Sequence, residues 1–159
     1  MIKILFVCYG NICRSPMAEY LMKDLVAEKG RRNEFFIASA STSGDETGNH
    51  VHRGTVKILE RLGIDCSDKR STRLKKSDYR EYDLIIGMDE MNRRDMIRIF
   101  GGDPDSKISL MLDYTPLKRN VADPWWTGDF EKTFTDIVAG TRGLYDYLTD
   151  GNFLRKSEH

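Results

Sequence analysis

The sequence contains few cysteines, no long apolar run and no excess of charge of either sign. Its three cysteines, Cys8, Cys13 and Cys66, are odd in number and too few for a disulfide framework, which favours a reducing compartment. The apolar run near the N-terminus, residues 4–7, is too short for the core of a signal peptide or for a membrane span. The sequence therefore predicts a cytoplasmic protein without a membrane partner.

Opposite charges balance, with 25 Lys and Arg against 25 Asp and Glu, so there is no general attraction for nucleic acid. A basic segment, residues 69–76, is best interpreted as a solvated charged face. Cys8 and Cys13 do not have the two-residue spacing common in zinc sites, and His50 and His52 are not one helical turn apart. We therefore expect no metal site and no nucleic-acid partner.

Apolar strand-like runs alternate with helical patterns along the chain. The runs that predict strands are residues 2–7, 35–38, 82–88 and 108–112. Helical periodicity predicts a first helix with Ser15 as N-cap, Pro16 as its first residue and Gly30 just beyond its end. Further helices are predicted over residues 50–62, 88–100 and 130–148. This order is typical of one α/β domain over residues 1–159 with a mostly parallel sheet.

Active sites in such folds lie beyond the carboxyl ends of the strands, which directs attention to the loop after the first strand. Backbone N–H groups between a strand and a helix N-terminus can converge on an anion, and the helix dipole adds positive potential there. Gly10 permits close approach of the backbone, and Asn11 tolerates a left-handed conformation. The residues predicted to bind phosphate are Tyr9, Gly10, Asn11, Ile12, Cys13, Arg14 and Ser15.

Cys8 is the candidate nucleophile of this loop, and five residues separate it from Arg14. A helix N-terminus and a nearby guanidinium favour the thiolate, which attacks phosphorus without a separate base. Arg14 can donate two parallel N–H groups to phosphoryl oxygens and stabilise charge in the transition state. Ser15 can donate its hydroxyl to the thiolate when Cys8 is the leaving group.

A departing phenolate or alkoxide needs a proton, and the best candidate donor is Asp123. Pro124 restricts Asp123 to extended backbone, which helps to aim the carboxyl group. Trp125 and Trp126, on a predicted loop, offer flat surfaces that can wall a cleft and stack on an aromatic substrate. A carboxyl group beside such walls can be protonated near neutral pH and act as a general acid.

Residues 7–16, Val-Cys-Tyr-Gly-Asn-Ile-Cys-Arg-Ser-Pro, resemble the signature of the low-molecular-weight protein tyrosine phosphatases. Residues 123–126, Asp-Pro-Trp-Trp, resemble the acid loop of that family, and the similarity extends over nearly the whole chain. The resemblance implies a four-stranded parallel sheet flanked by helices on both faces, with no metal and no cofactor. It also implies Cys8 as nucleophile through a cysteinyl-phosphate intermediate, Arg14 as phosphate binder and Asp123 as general acid.

The resemblance extends to residues around the loop. Asn11, Ser15 and Ser39 match positions that organise the loop in the family. Cys13 matches a second loop cysteine that can form a reversible disulfide with an oxidised nucleophile. Many members also have a histidine that braces the loop, and residues 66–73 of this chain contain none.

One wall of the expected cleft differs from the family pattern. Many members place an aromatic residue near Asp45, where this chain has Gly44 and Glu46 as neighbours, so this wall is expected to be acidic and open. Tyr9 can supply part of the missing surface. The residues predicted to form the substrate wall are Tyr9, Asp45, Trp125 and Trp126.

The expected partners are proteins bearing phosphotyrosine, with phosphate, sulfate and vanadate as inhibitors, and the expected state is a monomer or weak homo-oligomer. Three other functions stay open. Arsenate reduction needs late cysteines, and none follows Cys66. Protein arginine phosphatases tend to have threonine at the position of Ile12. A phosphate-binding module would keep the anion-binding loop of residues 8–15 but would not hydrolyse a substrate.

Overall fold

Four parallel strands form the centre of the computed structural model, which describes residues 1–151 and 153. Their order in the sheet is β2-β1-β3-β4, which confirms the prediction of a four-stranded parallel sheet. The central strand is apolar on both faces, since Ile4, Phe6 and Val7 are fully buried. The strands are β1 (Ile2–Cys8), β2 (Phe35–Ser41), β3 (Leu84–Gly87) and β4 (Ile108–Leu110).

Helices cover both faces of the sheet, as predicted. Among the described residues they are α1 (Arg14–Glu28), α2 (Arg53–Arg61), α3 (Asp78–Glu81), α4 (Glu90–Phe100), α5 (Pro124–Thr127) and α6 (Phe130–Thr149). Side chains of β1 alternate between the two faces. Phe6 packs with Met17 of α1 and Ile137 of α6, whereas Leu5 packs with Met96 of α4.

The parallel register brings the ends of three strands to one edge of the sheet. Cys8, the last residue of β1, pairs with Ser41 at the end of β2. Val7 lies between Ala40 of β2 and Gly87 at the end of β3. The segments that follow these strands therefore meet above the same edge, which is where the candidate site lies.

Several boundaries differ from the predictions. Helix α1 begins at Arg14, so Ser15 lies in its first turn and is not its N-cap; the Ser15 hydroxyl contacts Cys8 instead. Strand β2 continues to Ser41 because its pairing with β1 extends that far. Helix α2 begins only at Arg53, because the side chain of His52 caps it by accepting the Gly54 N–H.

Two short helices, α3 and α5, were not predicted, because each spans a single turn and leaves no periodic pattern. The fourth strand was predicted to reach residue 112 but ends at Leu110, because residues 111–114 form a 3₁₀ turn. Within residues 1–151 and 153, no helix has the length and apolar character needed to cross a bilayer.

Candidate active site

The loop between β1 and α1 wraps around the sulfur of Cys8. The Asn11 N–H lies 3.3 Å from Cys8 Sγ and the Ser15 N–H lies 3.4 Å from it. Ser15 Oγ lies 3.0 Å from the same sulfur. Cys8 is only 3% exposed, so these donors surround a sulfur that is largely withdrawn from water. The arrangement is a ring of N–H and O–H groups suited to a negative charge.

The side chain of Asn11 stabilises the conformation of this loop through hydrogen bonds. Its backbone has φ of +56°, the left-handed conformation expected for it, and its side chain is fully buried. The Nδ2 group donates to Ser15 Oγ at 2.7 Å and to Ser39 Oγ at 2.9 Å. The Oδ1 atom accepts the Thr72 N–H at 3.0 Å. A backbone amide of residues 66–73, the segment without a histidine, therefore braces the loop.

A buried carboxylate, Glu19 of α1, supports Ser39 in turn. The Ser39 hydroxyl donates to Glu19 Oε1 at 2.5 Å, and Lys69 Nζ lies 3.6 Å from the same oxygen. Lys69 also donates to the Ser39 carbonyl at 2.9 Å. Burial lowers the pKa of Lys69, and Glu19 opposes that shift. The prediction that residues 69–76 form a solvated face is wrong at Lys69, since its side chain lies under the loop.

Arg14 is held beside the cradle by three acceptors. Its Nη1 group donates to Asp89 Oδ2 at 2.7 Å and to the Val121 carbonyl at 2.9 Å, and Nη2 lies 3.4 Å from Asp123 Oδ2. Burial disfavours the charged guanidinium, but the negative charges of Cys8, Asp123 and Asp89 outweigh it and raise the pKa of Arg14. The guanidinium is therefore a fixed, permanent positive charge in the site.

Asp123 begins helix α5 as its N-cap. One carboxylate oxygen, Oδ1, accepts the Trp125 N–H at 3.1 Å, and Pro124 is the first helical residue. The other oxygen, Oδ2, points to Arg14. Trp125 and Trp126 therefore lie on a one-turn helix, which corrects the prediction of a loop.

A cleft of about 590 Å³ opens above Cys8. Trp125 and Trp126 form one side and are 54% and 82% exposed. On the rim, the Tyr9 hydroxyl donates to Asp45 at 2.9 Å. The cleft thus brings together all four residues predicted for the substrate wall. Other residues that line it are Glu46, Asp89, Met91, Asn92 and Asp95.

Cys13 lies in the loop as a buried free thiol. Burial raises the pKa of this thiol well above its usual range, and the negative charges of Cys8 and Asp123 add to the effect. Cys13 is therefore held as a neutral thiol, which disfavours attack by its thiolate form. Cys66 is also a buried free thiol and does not line the cleft.

The sequence interpretation did not identify Glu19, Lys69 or Asp89 as parts of the site. Two signals were available. Glu19 is a charged residue among the apolar residues on the buried face of α1, next to Ala18. Asp89 directly follows Met88 at the carboxyl end of a buried strand, where site residues of parallel sheets occur.

The family model for low molecular weight phosphotyrosine protein phosphatases matches residues 3–153. The chain belongs to this family. It is 39% identical over 146 residues to the low molecular weight protein-tyrosine-phosphatase YfkJ of Bacillus subtilis, covering 91% of this chain and 94% of the relative. It is 34% identical over 148 residues to the human low molecular weight phosphotyrosine protein phosphatase, covering 90% and 93%.

The fold agrees with that assignment. The crystal structure of YfkJ from Bacillus subtilis superposes with a TM-score of 0.90 at 38% identity, over 94% of this chain and 96% of that one. Membership of the low molecular weight phosphatase family makes the chain a hydrolase, and the resemblance found in the two sequence motifs is confirmed.

Proposed function

We propose that the protein is a protein tyrosine phosphatase that works through a phosphocysteine on Cys8. The observation that carries this proposal is the convergence of the Asn11 and Ser15 N–H groups on Cys8 Sγ, with the Arg14 guanidinium fixed alongside. These donors favour a thiolate and would bind the oxygens of a phosphoryl group placed over it. Membership of the family supports the same chemistry.

In the first step the Cys8 thiolate attacks phosphorus, so that a P–S bond forms as the P–O bond to the phenol breaks. Asp123 gives its proton to the departing oxygen. The Nη1 group of Arg14 is engaged by Asp89 and Val121, which leaves the Nε–Nη2 edge for two phosphoryl oxygens. The long contact of 3.4 Å between Arg14 and Asp123 is the one that a ligand would replace.

In the second step water attacks the phosphocysteine and the P–S bond breaks. The Asp123 carboxylate accepts the proton from water, and inorganic phosphate is the product. The departing Cys8 thiolate is stabilised by the Ser15 hydroxyl, which lies 3.0 Å from the sulfur. Phosphate, sulfate and vanadate should compete for the same cradle.

The walls of the cleft support phosphotyrosine as the substrate. Trp125 and Trp126 contribute exposed aromatic surface to the lining of the cleft, and Ile12 adds an apolar side chain to the same lining. Phosphoarginine is the second candidate, because the acidic rim at Asp45 suits a substrate with a cationic group.

The three free cysteines of the described chain support the cytoplasm as the proposed location.

The test is steady-state hydrolysis of matched peptides bearing phosphotyrosine, phosphoserine or phosphoarginine. The wild type should turn over the phosphotyrosine peptide fastest, and Cys8→Ser should abolish turnover while phosphate binding is kept. Cys66→Ser is the matched control, since it changes a buried cysteine outside the cleft and should stay active. Faster turnover of phosphoarginine, or residual activity of Cys8→Ser, would overturn the proposal.

A further inference from the structure

The imidazole of His52 joins segments of three helices beside the active site. Its ring stacks on Phe130, the first residue of α6, with centroids 5.0 Å apart and planes 21° apart. The ring of Trp125 in α5 meets His52 edge-on, with centroids 5.7 Å apart. The Nδ1 atom accepts the Gly54 N–H at 3.0 Å and so caps α2. The mechanism described above does not use this half-buried histidine.

The backbone of His52 is tied directly to the phosphate-binding loop. Its N–H donates to the Ile12 carbonyl at 2.8 Å. Three residues further on, the Thr55 hydroxyl donates to the carbonyl of Cys13 at 3.0 Å. The start of α2 is therefore anchored to the loop that surrounds Cys8, and the His52 ring extends from that anchor.

The Phe130 ring beneath His52 has little freedom. A methyl group at the position of Gly54 would lie 2.5 Å from this ring, so the ring is packed directly against the backbone of α2. Glycine at this position is what allows the close approach. The His52 ring therefore rests on a fixed surface and makes its perpendicular contact with Trp125 from a fixed position.

Helix α5, in contrast, is a single turn of four residues, which is not stable by itself. It carries Trp125, whose N–H is held by the carboxylate of Asp123 at 3.1 Å. A shift of the turn that carries Trp125 therefore moves the backbone amide to which the Asp123 side chain is bonded. The His52 contact is a side-chain link between this turn and the anchored segment that holds the Cys8 loop.

We propose that His52 is a positioning residue that aims Asp123 at the leaving group through its contact with Trp125. The inference rests on the proposed role of Asp123 as general acid. Its imidazole has two separable functions, since the nitrogen caps α2 and the ring holds Trp125. Only the second of these affects proton donation.

Two substitutions separate these functions. His52→Asn keeps a good N-cap acceptor and the backbone anchor but removes the ring. His52→Phe keeps a ring of similar size but removes the acceptor. We expect His52→Asn to lower kcat/KM for phenyl phosphate, which reports the first step in which the phenol departs, about tenfold, a part of the roughly 10²–10⁴ that a general acid contributes. The loss for p-nitrophenyl phosphate, whose leaving group needs little protonation, should be less than about twofold.

His52→Phe should keep both rates within about twofold of wild type while lowering Tm through the lost cap. His50→Asn is the matched control, since this exposed histidine lies two residues away and should change neither rate. Phe130→Leu leaves His52 in place and removes the aromatic ring on which it stacks. It should show the same dependence on leaving group, so the test does not rely on one variant being folded.

The deciding measurement is a double-mutant cycle with Asp123→Ala. If His52 acts through Asp123, adding His52→Asn to Asp123→Ala should cause no further loss with phenyl phosphate. An equal loss with both substrates, or a further loss in the Asp123→Ala background, would overturn the inference. If Asp123→Ala itself showed no dependence on the leaving group, the proposed acid role would fail instead, which keeps the two failures distinct.

Discussion

Replacement of Asn11 tests the bracing of the phosphate-binding loop. The side chain donates to Ser15 and Ser39 and accepts from the Thr72 N–H, and the residue has φ of +56°. Asn11→Gly removes the side chain but accepts the left-handed backbone, whereas Asn11→Ala removes the side chain and is also strained. The pair therefore separates the hydrogen bonds from the backbone conformation.

The magnitudes follow from these contacts. Three buried hydrogen bonds contribute about 1 kcal/mol each, so Asn11→Gly should lower the free energy of unfolding by about 3 kcal/mol. Asn11→Ala should lower the free energy of unfolding by about 1 kcal/mol more, because alanine is disfavoured in the left-handed region. Both variants should also lose turnover. They keep the backbone N–H of residue 11, which donates to Cys8 Sγ, but they lose the side-chain bonds that hold this N–H in position.

Asn11→Asp adds a sharper test, because it keeps the size and the acceptor for the Thr72 N–H. The Ser39 hydroxyl already donates to Glu19 at 2.5 Å, so it presents only lone pairs to a carboxylate at position 11. The new negative charge would also lie close to the thiolate proposed at Cys8, since Ser15 Oγ contacts both side chains. We expect Asn11→Asp to lose turnover more severely than stability.

Urea unfolding followed by tryptophan fluorescence, with equal m-values across the series, measures the stability changes. Steady-state kinetics with p-nitrophenyl phosphate measures the activity. Stabilities of Asn11→Gly and Asn11→Ala within about 0.5 kcal/mol of wild type would refute the brace. Equal stabilities of these two variants would refute the argument from backbone conformation alone.

Three further predictions concern Arg14, Cys13 and Tyr114. Asp89→Asn should lower kcat about tenfold and should also lower Tm, because a charged hydrogen bond to Arg14 is worth roughly 1.5–3 kcal/mol, although asparagine still caps α4; an unchanged kcat would contradict the role of this pair. Peroxide should oxidise Cys8 to a sulfenic acid that condenses with the Cys13 thiol, releasing water, so dithiothreitol should restore the wild type but not Cys13→Ser; equal recovery of both would exclude the disulfide. Burial raises the pKa of Tyr114 to about 12, so the unfolded chain ionises first and this contribution to stability is lost as pH rises from about 10 to about 12. Tyr114→Phe should therefore make the alkaline fall in stability shallower. Urea midpoints measured between about pH 10 and 12 check this, and an equally steep fall in wild type and variant would contradict it.

Much of the fold could be predicted because its signals are local. Strand β1 is a continuous apolar run, and α1 follows with periodic apolar residues, so the strand, the loop and the helix were recognisable in turn. The same locality made Cys8 and Arg14 recognisable, since a strand followed at once by a helix N-terminus defines the cradle between them. Helix α5 escaped prediction because four residues carry no period.

The supports of the site could not be predicted in the same way, because their partners are distant in the chain. Asn11 and Thr72 are 61 residues apart, and Arg14 and Asp89 are 75 residues apart. Lys69 looks like one of several basic surface residues until the fold places it beside Glu19. Which of several similar polar residues becomes such a partner depends on register and helix packing.

By itself, the sequence determined the order of the four strands and the four longer helices, the parallel sheet and the candidate roles of Cys8, Arg14 and Asp123. Each of these depends on residue types at short spacing. Only the tertiary structure decided that Glu19, Lys69 and the Thr72 amide support the loop, and that His52 meets Trp125. The physical reason is that buried polar groups must find partners, and those partners are assigned by where the crossover connections of the sheet bring distant segments together.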